Sequence, residues 1–169
     1  IGEIDHLRAE EGLRYQDFAL LYRTHAQSRV LEECLMERQI PYTIIGGIRF
    51  YERKEIKDII AYLKIVAGSR DFISLKRVIN VPRRGIGEVT VGRLEAHARA
   101  NDLGVIEVLK DAKNVPLISS QAQARLATFS GLLTGLIEDV AGRTVYETLE
   151  AVLSRTGYVN SLEAEESID

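Results

Sequence analysis

Cysteine is almost absent from this chain. Cys34 stands alone, so neither an internal disulfide framework nor a cysteine-cluster metal site can be built. Histidine is scarce too: His6, His25 and His97 are too few and too scattered for a histidine metal site, and no metal is expected. Three prolines and thirteen glycines, beside 46% hydrophobic and 28% charged residues, exclude collagen-like and disordered chains. Apolar runs are short, and none approaches the length that spans a membrane. The opening Ile1-Gly2-Glu3-Ile4-Asp5 has neither the basic head nor the apolar core of a signal peptide, so a cytoplasmic location is expected. A G-x-x-x-x-G-K-[ST] phosphate loop is missing, as is an acidic pair in a strand-end setting suited to magnesium. The 169 residues suffice for one ordinary core or two small ones. With no initiator methionine and no obvious finishing element after Glu163, the chain reads as a piece of a longer protein.

The formal net charge of -3 argues against a polycation that coats nucleic acid, but local contact depends on where charge sits. Between Lys76 and Arg99 the bases Lys76, Arg77, Arg83, Arg84, Arg93 and Arg99 face only Glu88 and Glu95. From Glu147 onward the balance reverses, with Arg155 the single base among Glu147, Glu150, Glu163, Glu165, Glu166 and Asp169.

Residues 3–14 read as a helix closed near Gly12. The run Asp17-Phe18-Ala19-Leu20-Leu21-Tyr22 has the length of a buried strand. Val30, Leu31, Cys34 and Leu35 mark an amphipathic helix that Pro41 stops, and Tyr42 to Ile45 is β-prone before Gly46-Gly47. Strand, helix and strand in that order predict part of an α/β layer over residues 1–66, with a sheet left incomplete. Residues 67–169 predict an all-α segment. Helices are expected over Asp71–Val78, Val89–Ala100 and Leu103–Leu109. A longer one runs from a Ser119 or Ser120 cap to Val140, and another is capped by Thr144 with Glu147.

Two places carry candidate chemistry. Tyr22 and Arg23 fall at the end of the first expected strand, where an aromatic and a guanidinium can stack on a base and hold a phosphate. From spacing alone they fit better a strand-end tyrosine packed on the next helix beside exposed arginines. Gln27 and Arg29 follow as supporting polar groups. The second place is Val81-Pro82-Arg83-Arg84-Gly85-Ile86-Gly87, a glycine-flanked turn between two helices. Its backbone N–H groups and the next helix N-terminus can face a phosphate, Arg83 and Arg84 add salt-sensitive attraction, and Thr90 offers a hydroxyl. Ordinary helix-to-helix turn chemistry would use the same glycines. Between the two places, Arg49, Tyr51 and Arg53 can touch phosphate or stack on a base, while Asp58 is placed to pair with Lys54.

These blocks together resemble the UvrD/PcrA/Rep group of superfamily 1 DNA helicases across almost the whole chain. Phe18-Ala19-Leu20-Leu21-Tyr22-Arg23-Thr24-His25-Ala26-Gln27-Ser28-Arg29 is similar to the group's motif IV. Pro41-Tyr42-Thr43-Ile44, Gly46 to Arg53, and Lys54 to Leu63 follow in the group's order. Val78 to Gly87 resembles its duplex-contacting loop, and Thr156-Gly157-Tyr158 also matches. His25 departs from the commoner asparagine, which reads as a tolerated substitution.

The resemblance implies an α/β RecA-like 2A fragment over 1–66. A mostly α-helical 2B piece over 67–169 would carry a helix-hairpin-helix-like element. It also implies that Tyr22 lies near adenine and that Arg23 acts catalytically as an arginine finger on the γ-phosphate. Arg49, Tyr51 and Arg53 would border the single-strand track. Arg83, Arg84, Gly85, Ile86, Gly87 and Thr90 would contact duplex backbone. The parent would be an ATP- and Mg2+-dependent 3′-5′ helicase in DNA repair or replication. Its partners would be DNA with a single-strand/duplex junction, domains 1A and 1B, the rest of 2A and 2B, and repair proteins. The isolated piece is expected to be inactive and to bind no cofactor tightly. A non-catalytic DNA-binding or partner-docking module is the competing class, and a nuclease-fused relative a third.

Overall fold

The computed structural model describes residues 1–166 of the chain. Two compact units divide it, Ile1–Ile56 and Lys57–Asp169.

In the first unit, helix α1 (Gly2–Glu11) ends on Gly12, whose positive φ of 68° lets its N–H return to the Arg8 carbonyl. Helix α2 (His25–Glu37) ends without a glycine: Gln39 takes the left-handed conformation. The N–H groups of Gln39 and Ile40 then close on the carbonyls of Met36 and Leu35, and Pro41 follows. Ile4, Leu35 and Ile40 form the small buried apolar set.

The expected α/β RecA-like fold with a partial sheet is not what the structure has: among the described residues there is no strand. The stretches 18–22 and 40–44 carry no ladder. Phe18 has extended backbone angles (φ −109°, ψ 144°), so its conformation suits a strand. Yet Leu21 is 96% exposed and Ile45 94%. An apolar run reads as a buried strand only when other strands take its N–H and C=O groups and cover its faces. Neither stretch has such a neighbour here.

The second unit is all-helical among its described residues. It contains most of α3 (Lys54–Val66), then α4 (Phe72–Val78), α5 (Glu88–Asn101), α6 (Val105–Lys110), α7 (Ser120–Val140), α8 (Val145–Thr156) and α9 (Tyr158–Glu166). Local chemistry sets most boundaries. The Asp71 carboxylate accepts from the N–H groups of Ile73 and Ser74 at 2.8 and 3.3 Å and starts α4. Ser119 Oγ accepts from Ala122 N to start α7, and Thr144 with Glu147 forms the expected capping box of α8. Gly157, at φ 72°, separates α8 from α9, which the sequence pattern did not signal.

Helix α7 packs against α6 and α8, with α5 beyond α6 and α9 beyond α8. Its stripe Leu126, Phe129, Leu133 and Leu136 is at most 1% exposed. It meets Tyr62, Ile65, Leu75, Val78, Leu94, Val108, Leu109 and Val152 in one apolar core. Asp58 corrects an expectation. Expected on the surface beside Lys54, it is instead buried, accepts from the Tyr158 hydroxyl at 3.0 Å and faces Arg77 at 3.5 Å.

Candidate functional site

In the first unit, the α2 N-terminus organises the strip from Tyr22 to Arg29. Gln27, third in the helix, turns its side-chain oxygen back to the N–H groups of Arg23 (3.0 Å) and Thr24 (3.3 Å). This satisfies donors that the first helical turn leaves open. Gln27 therefore fixes the backbone from which Arg23 projects, and the Arg23 side chain is exposed. Tyr22 and Arg23 both line an apolar cleft with Phe18, Leu20, Ser28 and Tyr42. The side chain of His25 lies outside those described.

Arg29, Arg49, Tyr51 and Arg53 are drawn into local packing. Arg29 donates to Glu33 at 2.8 Å, and its guanidinium lies 5.0 Å from the centre of the Phe50 ring. Arg53 approaches the same ring at 5.5 Å and donates to Ser28 Oγ at 3.3 Å. Tyr51 meets Phe50 edge-on at 5.1 Å and stays exposed. Arg49 lies 5.2 Å from the Tyr42 ring centre and 4.0 Å from Glu52.

The group that ties this region together is Glu32, which sequence reasoning passed over. It is 3% exposed and accepts from the Tyr42 hydroxyl at 3.3 Å and from Phe50 N at 3.2 Å. Burial first, and Glu32 beside it, push the Tyr42 hydroxyl above its ordinary pKa of 10.0. A glutamate inside an amphipathic helix gives no local sign of such a role.

In the second unit, residues 79–87 link α4 to α5, and Val81-Pro82 is a cis peptide bond. Asn80 Oδ1 accepts from Arg84 N at 2.7 Å and Ile86 N at 3.3 Å, which closes the turn. Gly85 occupies φ 71°, where a side chain is strained. Ile86 is 2% exposed, so its side chain anchors the turn in the core rather than facing a ligand. Gly87 precedes α5 with no side-chain cap, leaving backbone donors at an exposed helix N-terminus. Thr90 sits in the first turn of α5.

The two neighbouring arginines face different ways. Arg83 is exposed. Arg84 turns inward and donates to Val78 O at 3.0 Å, Pro82 O at 3.2 Å and the Tyr62 hydroxyl at 2.9 Å. Longer bonds of 3.4 Å reach Ile79 O and Thr156 O. Its guanidinium also lies 4.7 Å from the centre of the buried Phe129 ring. Tyr62 passes its own hydroxyl proton toward Val81 O and Val78 O. Burial holds the Tyr62 pKa above its ordinary 10.0, with Arg84 pulling the other way. Arg84 is thus an internal brace of the turn.

Among the described residues, no group of three or more His, Cys, Asp or Glu side chains could hold a metal ion. Among the same described residues, no helix is long and apolar enough to cross a membrane.

The profile of the UvrD-like helicase C-terminal domain family matches residues 1–128. The chain is 43% identical over 158 residues to the ATP-dependent DNA helicase PcrA of Staphylococcus aureus, and 41% identical to that of Staphylococcus epidermidis. Each alignment covers 94% of this chain and 22% of the relative, so the chain spans under a quarter of the curated relatives it matches. The resemblance read from the motif blocks therefore holds over nearly all of the sequence, and the chain belongs to the UvrD-like helicase C-terminal domain family.

Proposed function

We propose that this chain is the part of an ATP-dependent 3′-5′ DNA helicase that grips duplex backbone and contributes an arginine to the nucleotide site. Residues 1–66 serve as the 2A portion, and residues 67–169 as the 2B insertion. The parent works in the cytoplasm in DNA repair or replication. The observation that carries this reading is the α4–α5 turn: Gly85 at positive φ, exposed Arg83, and the uncapped start of α5 at Gly87. Backbone donors and a cation on one exposed turn suit phosphate oxygens and read no bases, so contact is sequence-independent.

At the nucleotide, Tyr22 and Arg23 fit one edge of an ATP site: the ring supplies a stacking face, the guanidinium a phosphate ligand, and Gln27 holds the backbone between them. ATP would supply the phosphoryl group whose transfer drives the parent. Mg2+ would be held by other parts of the helicase. Without a phosphate loop, the 169 residues alone hydrolyse no ATP and unwind nothing. A second reading, a DNA-binding module with no catalysis of its own, describes the isolated chain. Its turn is complete within one compact unit, whereas its nucleotide site lacks the phosphate loop.

Titration with a duplex bearing a 3′ single-strand tail, at two salt concentrations, tests the turn. Arg83→Ala should bind more weakly and with less salt dependence; equal affinity at both concentrations sinks the duplex contact. In the complete helicase, Arg23→Ala should lower ATP turnover by about 10³-fold, as removal of an arginine finger does. Unchanged turnover rules out that role.

A further inference from the structure

We infer that Arg125, on α7 and forty residues downstream of the turn, is a second phosphate-binding cation of the same duplex surface. This rests on the reading of the α4–α5 turn as that surface. Arg125 Nη1 donates to Gly85 O at 2.5 Å. Its guanidinium lies so close that a Cβ on Gly85 would meet Nη1 at 2.7 Å and Cζ at 2.9 Å. The φ of 71° is what calls for glycine here, and a Cβ would also push the Arg125 guanidinium, the end of a flexible exposed side chain, off the turn.

Three features turn this packing contact into a ligand site. First, a carbonyl oxygen repels a phosphate, and Arg125 covers that of Gly85 with positive charge. Second, a guanidinium has five N–H donors in a fixed fork. The bond to Gly85 uses one, and the Arg125 side chain is exposed, so further donors remain for an anion. Third, its charge is not neutralised nearby. Arg29, Arg99 and Arg155 are paired with Glu33, Glu95 and Asp139, whereas Arg125 has no acid partner among the described residues. The duplex-facing cations are thus Arg83 and Arg125, one from the turn and one from α7, while Arg84 is occupied within the fold.

The test is a titration of the 169-residue chain with the tailed duplex between 50 and 200 mM salt. Each phosphate contact contributes about 0.9 to the slope of log affinity against log salt. Arg125→Gln should make the slope shallower by about that amount, and Arg125→Lys should largely keep it. Glutamine removes the charge and, two bonds shorter, also gives up the reach to Gly85 O, whereas lysine keeps the charge without the fork, so the pair of variants separates the cation from the packing contact. Arg83→Ala serves as the reference. A shallower slope for both variants supports the inference. A shallower slope for Arg83→Ala with an unchanged slope for Arg125→Gln overturns it and leaves the turn as the DNA contact. Unchanged slopes for both overturn the turn reading and this inference with it. Far-UV circular dichroism of each variant confirms that a folded chain is being compared.

Discussion

Replacing Arg84 by alanine should unfold the protein more than it weakens DNA binding. The side chain makes three bonds of 2.9–3.2 Å, to Tyr62, Val78 and Pro82, and lies over Phe129. A hydrogen bond involving a charged group contributes about 1.5–3 kcal/mol when its partners are left buried without it. Arg84 is half-buried, so water will recover part of that at the Val78 and Pro82 carbonyls. Taking about 2 kcal/mol for the bonds together and about 1 kcal/mol for the ring contact gives a loss of about 3 kcal/mol. That is roughly a hundredfold shift in the folding equilibrium. Arg84→Lys should recover less than half, because one ammonium cannot fork across several acceptors. The assay is equilibrium urea unfolding. It can be followed by tyrosine fluorescence, since the chain has seven tyrosines and no tryptophan, and Tyr62 itself touches Arg84. Arg83→Ala is the comparison, expected within about 0.5 kcal/mol of wild type as a surface change. If Arg84→Ala unfolds with wild-type stability while its DNA-binding salt slope falls, the guanidinium faces phosphate and the internal brace is refuted.

Two further outcomes follow from the same region. Gly85→Ala should lose about 1–2 kcal/mol from its left-handed backbone and weaken duplex binding by displacing Arg125. Gly87→Ala, at φ −81° with open space around it, adds no backbone strain and should cost no more than about 1 kcal/mol in urea unfolding, the difference between glycine and alanine as the N-cap of α5. Asp71→Ala should remove about 1 kcal/mol of helix capping at neutral pH. The Ile73 N–H and then the Ser74 hydroxyl hold the Asp71 carboxyl below its ordinary 3.8, so this stabilisation is present above that value and fades as pH falls through the lower folded value. Urea unfolding of wild type and variant should therefore converge in strong acid, and a constant gap down to pH 2 would contradict the capping account.

Most of the helical unit was legible because its signals are local. Asp71, Ser119 and Thr144 with Glu147 each cap within three residues, and the 3.6-residue stripe of Leu126, Phe129, Leu133 and Leu136 can be read from one helix alone. The expected sheet failed for the opposite reason. Phe18 to Tyr22 has strand composition, but a strand is a relation between segments, and composition reports only one of them. Helix α9 escaped notice because its register of apolar residues is weak, with Tyr158 the fully buried anchor among its described side chains. Glu32 and Asp58 are carboxylates on amphipathic helices and resemble solvated charges until Tyr42, Phe50, Tyr158 and Arg77 are placed around them.

The site was legible as a stretch but not as a set of side chains. Arg83 and Arg84 are chemically identical neighbours, and in a turn consecutive side chains diverge. Which one faces out is decided by Asn80, which binds the N–H groups of Arg84 and Ile86 and so turns both residues inward. The missing outward charge comes from Arg125, whose position beside Leu126 gives no hint of the turn it covers. Net charge is then a poor guide to where unpaired cations lie in this chain. The value of -3 counts Arg29, Arg99 and Arg155 equally with Arg83 and Arg125, yet the first three are matched by acids within 4 Å. What matters locally is which cations lack such partners, and near the turn these are Arg83 and Arg125, set against the single acid Glu88 at the start of α5.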